Sequence, residues 1–281
     1  MLRRLYRRYV HAPALDRAIY RFLDTCADAY SRLRRYSFPK NYIRRWKLDM
    51  LRGRYEQETY ALFREIIVPG AVVVDIGAHI GYYTRLAAKL AGGRGRVYAF
   101  EADPENFALL QKNTAHLRNV ERVRLAVSDK DGTIDFYHYD DKSGAHSTLP
   151  NVPLDFHKRK ITVVATTLDA WLGERNVPRV DVIKMDIEGG ESAALRGMAR
   201  TLAQTRVLIT EFAPAWIEAS GSSPRAFLTS LEAYGFSVNA ITERGLISFS
   251  PVQDGRFAKL LPTPKDGSHA SEFLNLYCVK K

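Results

Sequence analysis

Hydrophobic positions recur along the chain in two registers. Near the N-terminus the period is helical: Leu2, Leu5, Tyr6, Tyr9 and Val10 stand at i, i+3, i+4, i+7 and i+8, with Arg3, Arg4, Arg7 and Arg8 on the other face. After Pro13, a good first-turn residue, Leu15, Ile19, Phe22, Cys26, Tyr30 and Leu33 continue that period until Phe38-Pro39 interrupts it, and a third helical pattern runs from about Tyr42 to Met50. Beyond Tyr55 another helix ends at Pro69-Gly70, and the register changes. Continuous apolar runs at Val72–Ile76, Arg96–Glu101, Val123–Val127, Asp181–Ile187 and Arg206–Phe212 alternate with helical patterns at Tyr82–Leu90, Pro104–His116, Glu191–Thr201 and Pro224–Tyr234. Strands that are apolar throughout, rather than at every second residue, predict a parallel sheet covered on both faces. Two features depart from the alternation. An insertion at 131–179 carries a candidate antiparallel pair, Thr133–Tyr139 and Ile161–Ala165, and two late strands, Phe236–Glu243 and Glu272–Val279, follow the last helix. The expected fold is α/β, a seven-stranded and mostly parallel sheet whose last two strands form an antiparallel edge pair, preceded by a helical extension.

Charge sharpens the division. The 281 residues hold 42 Lys plus Arg against 31 Asp plus Glu, a net +11. Residues 1–55 contribute 15 basic and 4 acidic side chains, whereas the rest hold 27 of each sign. The chain therefore reads as a basic extension, 1–54, joined to a charge-balanced domain, 55–281. With two cysteines, Cys26 and Cys278, it is neither a disulfide framework nor a four-cysteine zinc module, and a reducing, cytoplasmic setting is expected. The longest stretch without an acid or base is the 12 residues Ser143–Leu154, well short of the ~20 apolar residues of a membrane span. The basic N-terminus lacks the apolar core of a secretory signal, and an arginine-rich targeting peptide stays open.

The first strand runs Val72-Val73-Val74-Asp75-Ile76-Gly77-Ala78-His79-Ile80-Gly81, an acid near the strand end followed by two glycines at a tight turn into a helix. Such a turn lies at the carboxyl edge of a parallel sheet, where ligands bind, and glycine lets a ligand approach without meeting a Cβ. A dinucleotide turn reads G-x-G-x-x-G; here the spacing is G-x-x-x-G, with Asp75 placed to repel a pyrophosphate. The second strand ends at Glu101, where a carboxylate can accept both hydroxyls of a ribose. Together the two acids describe a nucleoside that carries a cation, and S-adenosylmethionine is such a ligand; the plainer alternative is that both acids cap helix N-termini. Ser128 and Asp129 end the third strand where an adenine would lie, although Ser128-Asp129-Lys130-Asp131-Gly132 also reads as a polar turn.

Three segments, Asp75-Ile-Gly-Ala-His-Ile-Gly-Tyr-Tyr-Thr84, Val97-Tyr-Ala-Phe-Glu-Ala-Asp-Pro104 and Asp181-Val-Ile-Lys-Met-Asp-Ile-Glu-Gly-Gly-Glu191, resemble the FkbM-type methyltransferases, a branch of the class I (Rossmann-like) S-adenosylmethionine-dependent fold. The resemblance spans about Tyr55 to Glu211. It implies O-methylation of sugar hydroxyls on glycans or of secondary-metabolite hydroxyls, and a cofactor site at Asp75, Gly77, His79, Gly81, Tyr82, Thr84, Glu101, Ser128 and Asp129. The family usually has Asn at the position of His79 and Pro at that of Ala102; the former change bears on the contact to the methionine end of the cofactor.

Methyl transfer to an alcohol needs collinear positioning and a group that takes the acceptor's proton. In the fourth strand, alternation places Lys184, Asp186 and Glu188 on one face, costly unless they pair or meet a ligand. Asp186 is the first candidate for orienting or deprotonating the acceptor, Glu188 the second, and Lys184 the cation that keeps them ionised; a salt-bridged strand end with a Gly189-Gly190 turn is the plainer alternative. Glu211 ends the fifth parallel strand, and Asp186, Glu188 and Glu211 could together hold a divalent cation through oxygen ligands. The insertion brings Tyr137, His138, His146 and His157; His146 is a candidate base by its near-neutral pKa, or a solvated loop residue. The expected partner is a hydroxyl-bearing small molecule or glycan, with a saccharide favoured. For the extension, packing on the domain and an anionic membrane surface reached through residues 1–35 stand level, ahead of nucleic acid. Base methylation is disfavoured because Asp186-Ile187-Glu188-Gly189 stands in place of the Asn/Asp-Pro-Pro-aromatic tetrapeptide that such enzymes use on a flipped base. The alternative of another class is a non-catalytic binding protein, associated with membrane or RNA, on the same scaffold.

Overall fold

The computed structural model describes residues 13–40, 42–140, 143–151, 157–248, 250 and 273–281. The amphipathic pattern from Leu2 to Val10 lies outside them. Contacts divide the chain into two compact units, Met1–Tyr55 and Glu56–Lys281. In the first, α1 (Pro13–Leu33) packs on α2 (Arg44–Leu51), with Ala27, Ser31, Met50 and Leu51 buried.

The second unit opens with α3 (Gln57–Ile66) and then alternates β1 (Val72–Ile76), α4 (Tyr82–Ala91), β2 (Arg96–Phe100), α5 (Pro104–Thr114) and β3 (Val120–Val123). After the insertion come β7 (Val182–Met185), α7 (Glu191–Arg196), α8 (Ala199–Gln204), β8 (Val207–Phe212), α9 (Pro214–Ala219), α10 (Pro224–Ala233), β9 (Phe236–Thr242), β10 (Gly245–Ser248) and β11 (Leu274–Lys280). One sheet runs β10-β9-β11-β8-β7-β1-β2-β3. Strands β3, β2, β1, β7 and β8 are parallel, and β11 pairs antiparallel with both β8 and β9. Every residue of β7 and β8 is buried, as continuous apolar runs require of strands covered on both faces. A core of Val74, Ile76, Phe100, Ile183, Met185, Leu208 and Phe212, packed with Trp171, Leu195 and Leu228, lies on this sheet.

Six of the seven expected strands lie in the main sheet near their expected bounds, and the third does not. An eighth, β10, turns back on β9 at the outer edge, and β11 inserts between β8 and β9, so the two late strands are neighbours one place inside the edge. The expected strand Val123–Val127 divides. Val120–Val123 stays with β2, while Ala126–Val127 (β4) crosses to a second, three-stranded sheet with β5 (Gly132–Tyr139) and β6 (Lys158–Thr166), where Ala126, Phe136, Val163 and Ala165 bury one another. The expected helix Glu191–Thr201 breaks at Gly197, whose backbone packs against the Ser128 carbonyl; α8 then starts where Asp169, in α6 (Leu168–Glu174), accepts the Thr201 N–H. The strand reading of Asp181–Ile187 also stops early. Because β7 ends at Met185, Glu188 belongs to a turn with φ +50° and does not share a strand face with Lys184.

Candidate active site

The register of the parallel strands decides which charges meet. Asp75 on β1 lies beside Lys184 on β7, and Lys184 beside Ile209 on β8, so Glu101, Asp186 and Glu211 come level at the carboxyl edge. Lys184 is buried; its Nζ donates to Asp186 Oδ2 at 2.9 Å and lies 4.9 Å from the centre of the Tyr83 ring. Burial opposes its charge, but Asp186, Asp75 and Glu56 outweigh that and hold its pKa above the usual lysine value. Asp75 accepts the Thr84 hydroxyl on Oδ2 at 2.5 Å, while Oδ1 is buried with no partner. Burial raises the Asp75 pKa against the pull of Lys184.

Beyond this pair the site holds more acid than base. Oxygens of Asp186, Glu188 and Glu211 lie within 4.8 Å of one another. Burial raises both glutamates well above the usual carboxylate range; Asp186 then adds most to the shift of Glu188, and Glu188 to that of Glu211. These are the residues that could share a divalent cation, or a proton taken from a substrate. Glu191 accepts the N–H groups of Ile187 and Gly189 at 3.0 and 2.9 Å and so fixes the Glu188 turn; its own pKa is pushed up to about 7 by burial. Glu56, the residue before α3, is also brought here. Its Oε2 accepts the Tyr83 hydroxyl at 2.8 Å and the Asn275 amide at 3.0 Å, and burial raises its pKa.

The turn from β1 into α4 is built by its backbone. His79 sits at φ +49°, and its N–H donates to Glu101 Oε2 at 2.7 Å, while the Asp103 N–H donates to Oε1 at 2.8 Å. Each oxygen of Glu101 thus keeps a lone pair for a further donor, and the carboxylate is held in one orientation. Burial lifts its pKa to about 8 despite those two N–H groups. Burial also lowers the His79 pKa to about 4, so the ring is neutral, and its Nε2 lies 3.1 Å from Ser143 Oγ. The protein itself requires the glycines. A Cβ on Gly77 (φ +78°) would lie 1.8 Å from the Asp186 carbonyl oxygen, and one on Gly81 (φ +90°) 2.9 Å from Leu110. Gly77→Ala is accordingly expected to cost about 3–5 kcal/mol, from the left-handed backbone and a contact with backbone that cannot give way; the shift in a urea unfolding midpoint measures it.

The insertion reaches the same edge. Ser143 accepts the Asn106 amide on its carbonyl at 2.8 Å, Ser147 Oγ donates to the Glu188 carbonyl at 2.6 Å, and Leu149 fills the space beside Gly189. His146 is buried, not solvated. Its Nδ1 accepts the Tyr139 N–H at 3.0 Å, so the proton of the neutral ring is on Nε2, 3.8 Å from Asp103 Oδ1. Burial lowers its pKa to about 4. With one lone pair engaged and the other nitrogen protonated, His146 is a poor base, and the expectation of a catalytic His146 is corrected to an anchoring one. His138 Nδ1 lies 2.5 Å from Asp103 Oδ2, and the two imidazoles stack at 4.2 Å. Asp103, which also caps α5 through Glu105 and Asn106 N–H groups, thereby ties β5 to that helix. Asp103, His138 and His146 each bring one possible ligand atom within 4.8 Å of the others, and His146 Nε2 is buried with no hydrogen-bond partner.

Of the expected cofactor residues, Asp75, Gly77, His79, Gly81, Thr84 and Glu101 converge on the β1 and β2 ends, and Tyr82 packs beside them against Tyr83. Ser128 and Asp129 follow β4 out to the second sheet, where Asp129 is held by Arg196 at 2.8 Å, which lowers its pKa. Sequence reading misses Glu56, Tyr83, Glu191, Ser143 and Ser147. Of these, Glu191 leaves a trace as the acid that follows Gly189-Gly190, and Tyr83 as a residue of the first family segment.

The family model for the methyltransferase FkbM domain matches residues 75–238. Among curated proteins, the chain is similar to the 2-O-methyltransferase NoeI of Sinorhizobium fredii, 30% identical over 156 residues, covering 51% of this chain and 64% of that protein. It is similar also to the hexuronic acid methyltransferase AglP of Haloferax volcanii, 28% identical over 171 residues, with 59% and 65% covered. A third relative is the 31-O-demethyl-FK506 methyltransferase FkbM of Streptomyces tacrolimicus, 29% identical over 157 residues, with 46% and 60% covered. The matched part of the chain spans less than two thirds of the length of each of these proteins.

Proposed function

Since the chain belongs to the FkbM methyltransferase family, we propose that it is an S-adenosylmethionine-dependent O-methyltransferase whose acceptor is a saccharide hydroxyl. The observation that carries the reading is the pair of strand-end acids. Asp75 keeps a buried oxygen with no partner, and Glu101 is oriented by two N–H groups with a lone pair free on each oxygen. A ribose suits Glu101, and a positive charge suits a site in which Asp75, Glu56, Asp186 and Glu188 all act on one lysine. The residues therefore fit S-adenosylmethionine, which when bound would supply a methyl group activated on a sulfonium.

The chain's own part is to hold the acceptor and take its proton. Asp186, ion-paired to Lys184, orients a hydroxyl by accepting a hydrogen bond. Glu188 and Glu211, destabilised as anions by burial and by each other, are the stronger bases and receive the proton. The Ser147–Leu149 segment over the Glu188 turn excludes water. Two of the three relatives are named for an oxygen position and one for a hexuronic acid, which supports an oxygen acceptor of sugar type. The carboxylate excess favours a neutral sugar over a uronate.

Calorimetric titration with S-adenosylmethionine, followed by transfer of labelled methyl to panels of neutral and uronic saccharides, tests this. Binding with a labelled saccharide product is expected. No heat of binding at millimolar cofactor would sink the reading, and labelling of small alcohols alone would remove the saccharide from it.

A further inference from the structure

The first unit, Met1–Tyr55, is put together with its polar side inward. Along α1, Tyr20, Asp24, Ala27, Asp28 and Ser31 share one flank, and that flank meets α2: Arg44 donates to Asp24 at 2.9 Å and lies over the Tyr20 ring, Lys47 donates to Asp28 at 2.9 Å, and Ala27 and Ser31 are buried. The apolar stripe of the same helix, Ile19, Phe22, Leu23, Cys26 and Leu33 at i, i+3, i+4, i+7 and i+14, is left exposed, Phe22 at 66% and Leu33 at 79%. Water is a poor partner for such a stripe, and an amphipathic helix ordinarily buries that side first.

Charge says what covers it. Of the four acids in residues 1–55, Asp24, Asp28 and Asp49 are taken up by Arg44, Lys47 and Arg45, and the segment as a whole carries a net +11. A second copy would bring the same +11 to the contact and be repelled. A nucleic acid would answer the charge but has no use for Ile, Phe and Leu on one face. We infer that α1 is a docking surface for an anionic phospholipid bilayer, its stripe entering the interfacial region while basic side chains of the same unit, such as Arg17 and Arg21, meet the head groups. No helix among the described residues is long and apolar enough to cross a membrane, so the contact is peripheral.

Co-sedimentation of the full chain with vesicles tests the inference without reference to methyl transfer. The chain is expected to sediment with vesicles of mixed phosphatidylglycerol and phosphatidylcholine, less as salt rises, and not with phosphatidylcholine alone. Phe22→Asp/Leu33→Asp alters two exposed side chains, so circular dichroism should not change, while the partition coefficient falls about tenfold or more. Parent and variant sedimenting alike, or no sedimentation of the parent with the anionic vesicles, overturns the inference. So does sedimentation velocity in the absence of lipid showing a dimer that the double variant dissociates, or retention of a duplex RNA by a chain that ignores the vesicles.

Discussion

Glu101→Ala weakens S-adenosylmethionine binding by about 10²–10⁴-fold and leaves the protein folded. Two hydrogen bonds to a charged acceptor, each worth about 1.5–3 kcal/mol, disappear together. The substitution also strands the N–H groups of His79 and Asp103, so a urea denaturation curve must accompany the titration to separate lost affinity from a lost turn. The pH dependence isolates the carboxylate itself. With its pKa raised to about 8 by burial, Glu101 holds a proton in most of the cofactor-free protein at neutral pH, and only the ionised form accepts from both ribose hydroxyls. Affinity should therefore rise with pH up to about 8 and then level, and Glu101→Gln should flatten that rise. The sign for stability is opposite. A carboxyl whose pKa is higher folded than unfolded favours the folded state below the unfolded value of about 4.5 and loses that contribution as pH climbs through about 8. The cofactor-free protein is thus expected to soften over the range in which the cofactor binds more tightly. Pairing thermal melts with and without ligand reads both trends, and an affinity independent of pH would remove the assigned role.

Glu211→Gln lowers kcat by about 10²–10⁴-fold, the usual share of a general base, with cofactor affinity unchanged. Glu188→Gln behaves similarly, because the two carboxyls act as a coupled pair. In the parent, kcat/KM should rise with pH through a value above the ordinary glutamate range, and either glutamine variant should lose that limb. Asp186→Asn is the informative contrast. Its partner Lys184 stays in place, so turnover falls through misplaced acceptor while the pH limb survives. A full limb in Glu211→Gln and none in Asp186→Asn would exchange the two roles. If the three carboxylates instead share a divalent cation, dialysis against a chelator abolishes turnover and magnesium restores it; under the base reading chelation changes nothing.

Much of this site is legible in the amino-acid sequence. An acid near the end of Val72–Ile76 and another after Phe100 are visible because parallel strands end where ligands bind, and Val-Val-Val-Asp-Ile needs only local chemistry to be read as a buried strand. The acids Asp186 and Glu211 are visible for the same reason. What escapes is everything that depends on neighbours remote in sequence. Gly77 reads as room for a ligand and is room for the Asp186 carbonyl, 109 residues on. His146 reads as solvated or basic and is buried, anchored through Nδ1 by the Tyr139 N–H. Asp129 reads as an adenine contact, and the passage of Ala126–Val127 to a second sheet carries it to Arg196. Glu56 has no motif around it, and only the strand register and the placing of α3 bring it to Tyr83, Asn275 and Lys184.

The sequence by itself determined the alternation of strands and helices, the chemistry at the strand ends and the concentration of the +11 charge in residues 1–55, because periodicity, strand-end acids and net charge are properties of short segments. Tertiary structure decided which carboxylates converge, which histidines are buried and which face of α1 is exposed. Those outcomes depend on burial and on pairs across the fold, and desolvation changes the energy of a charge or of an apolar face by more than any local preference of the chain.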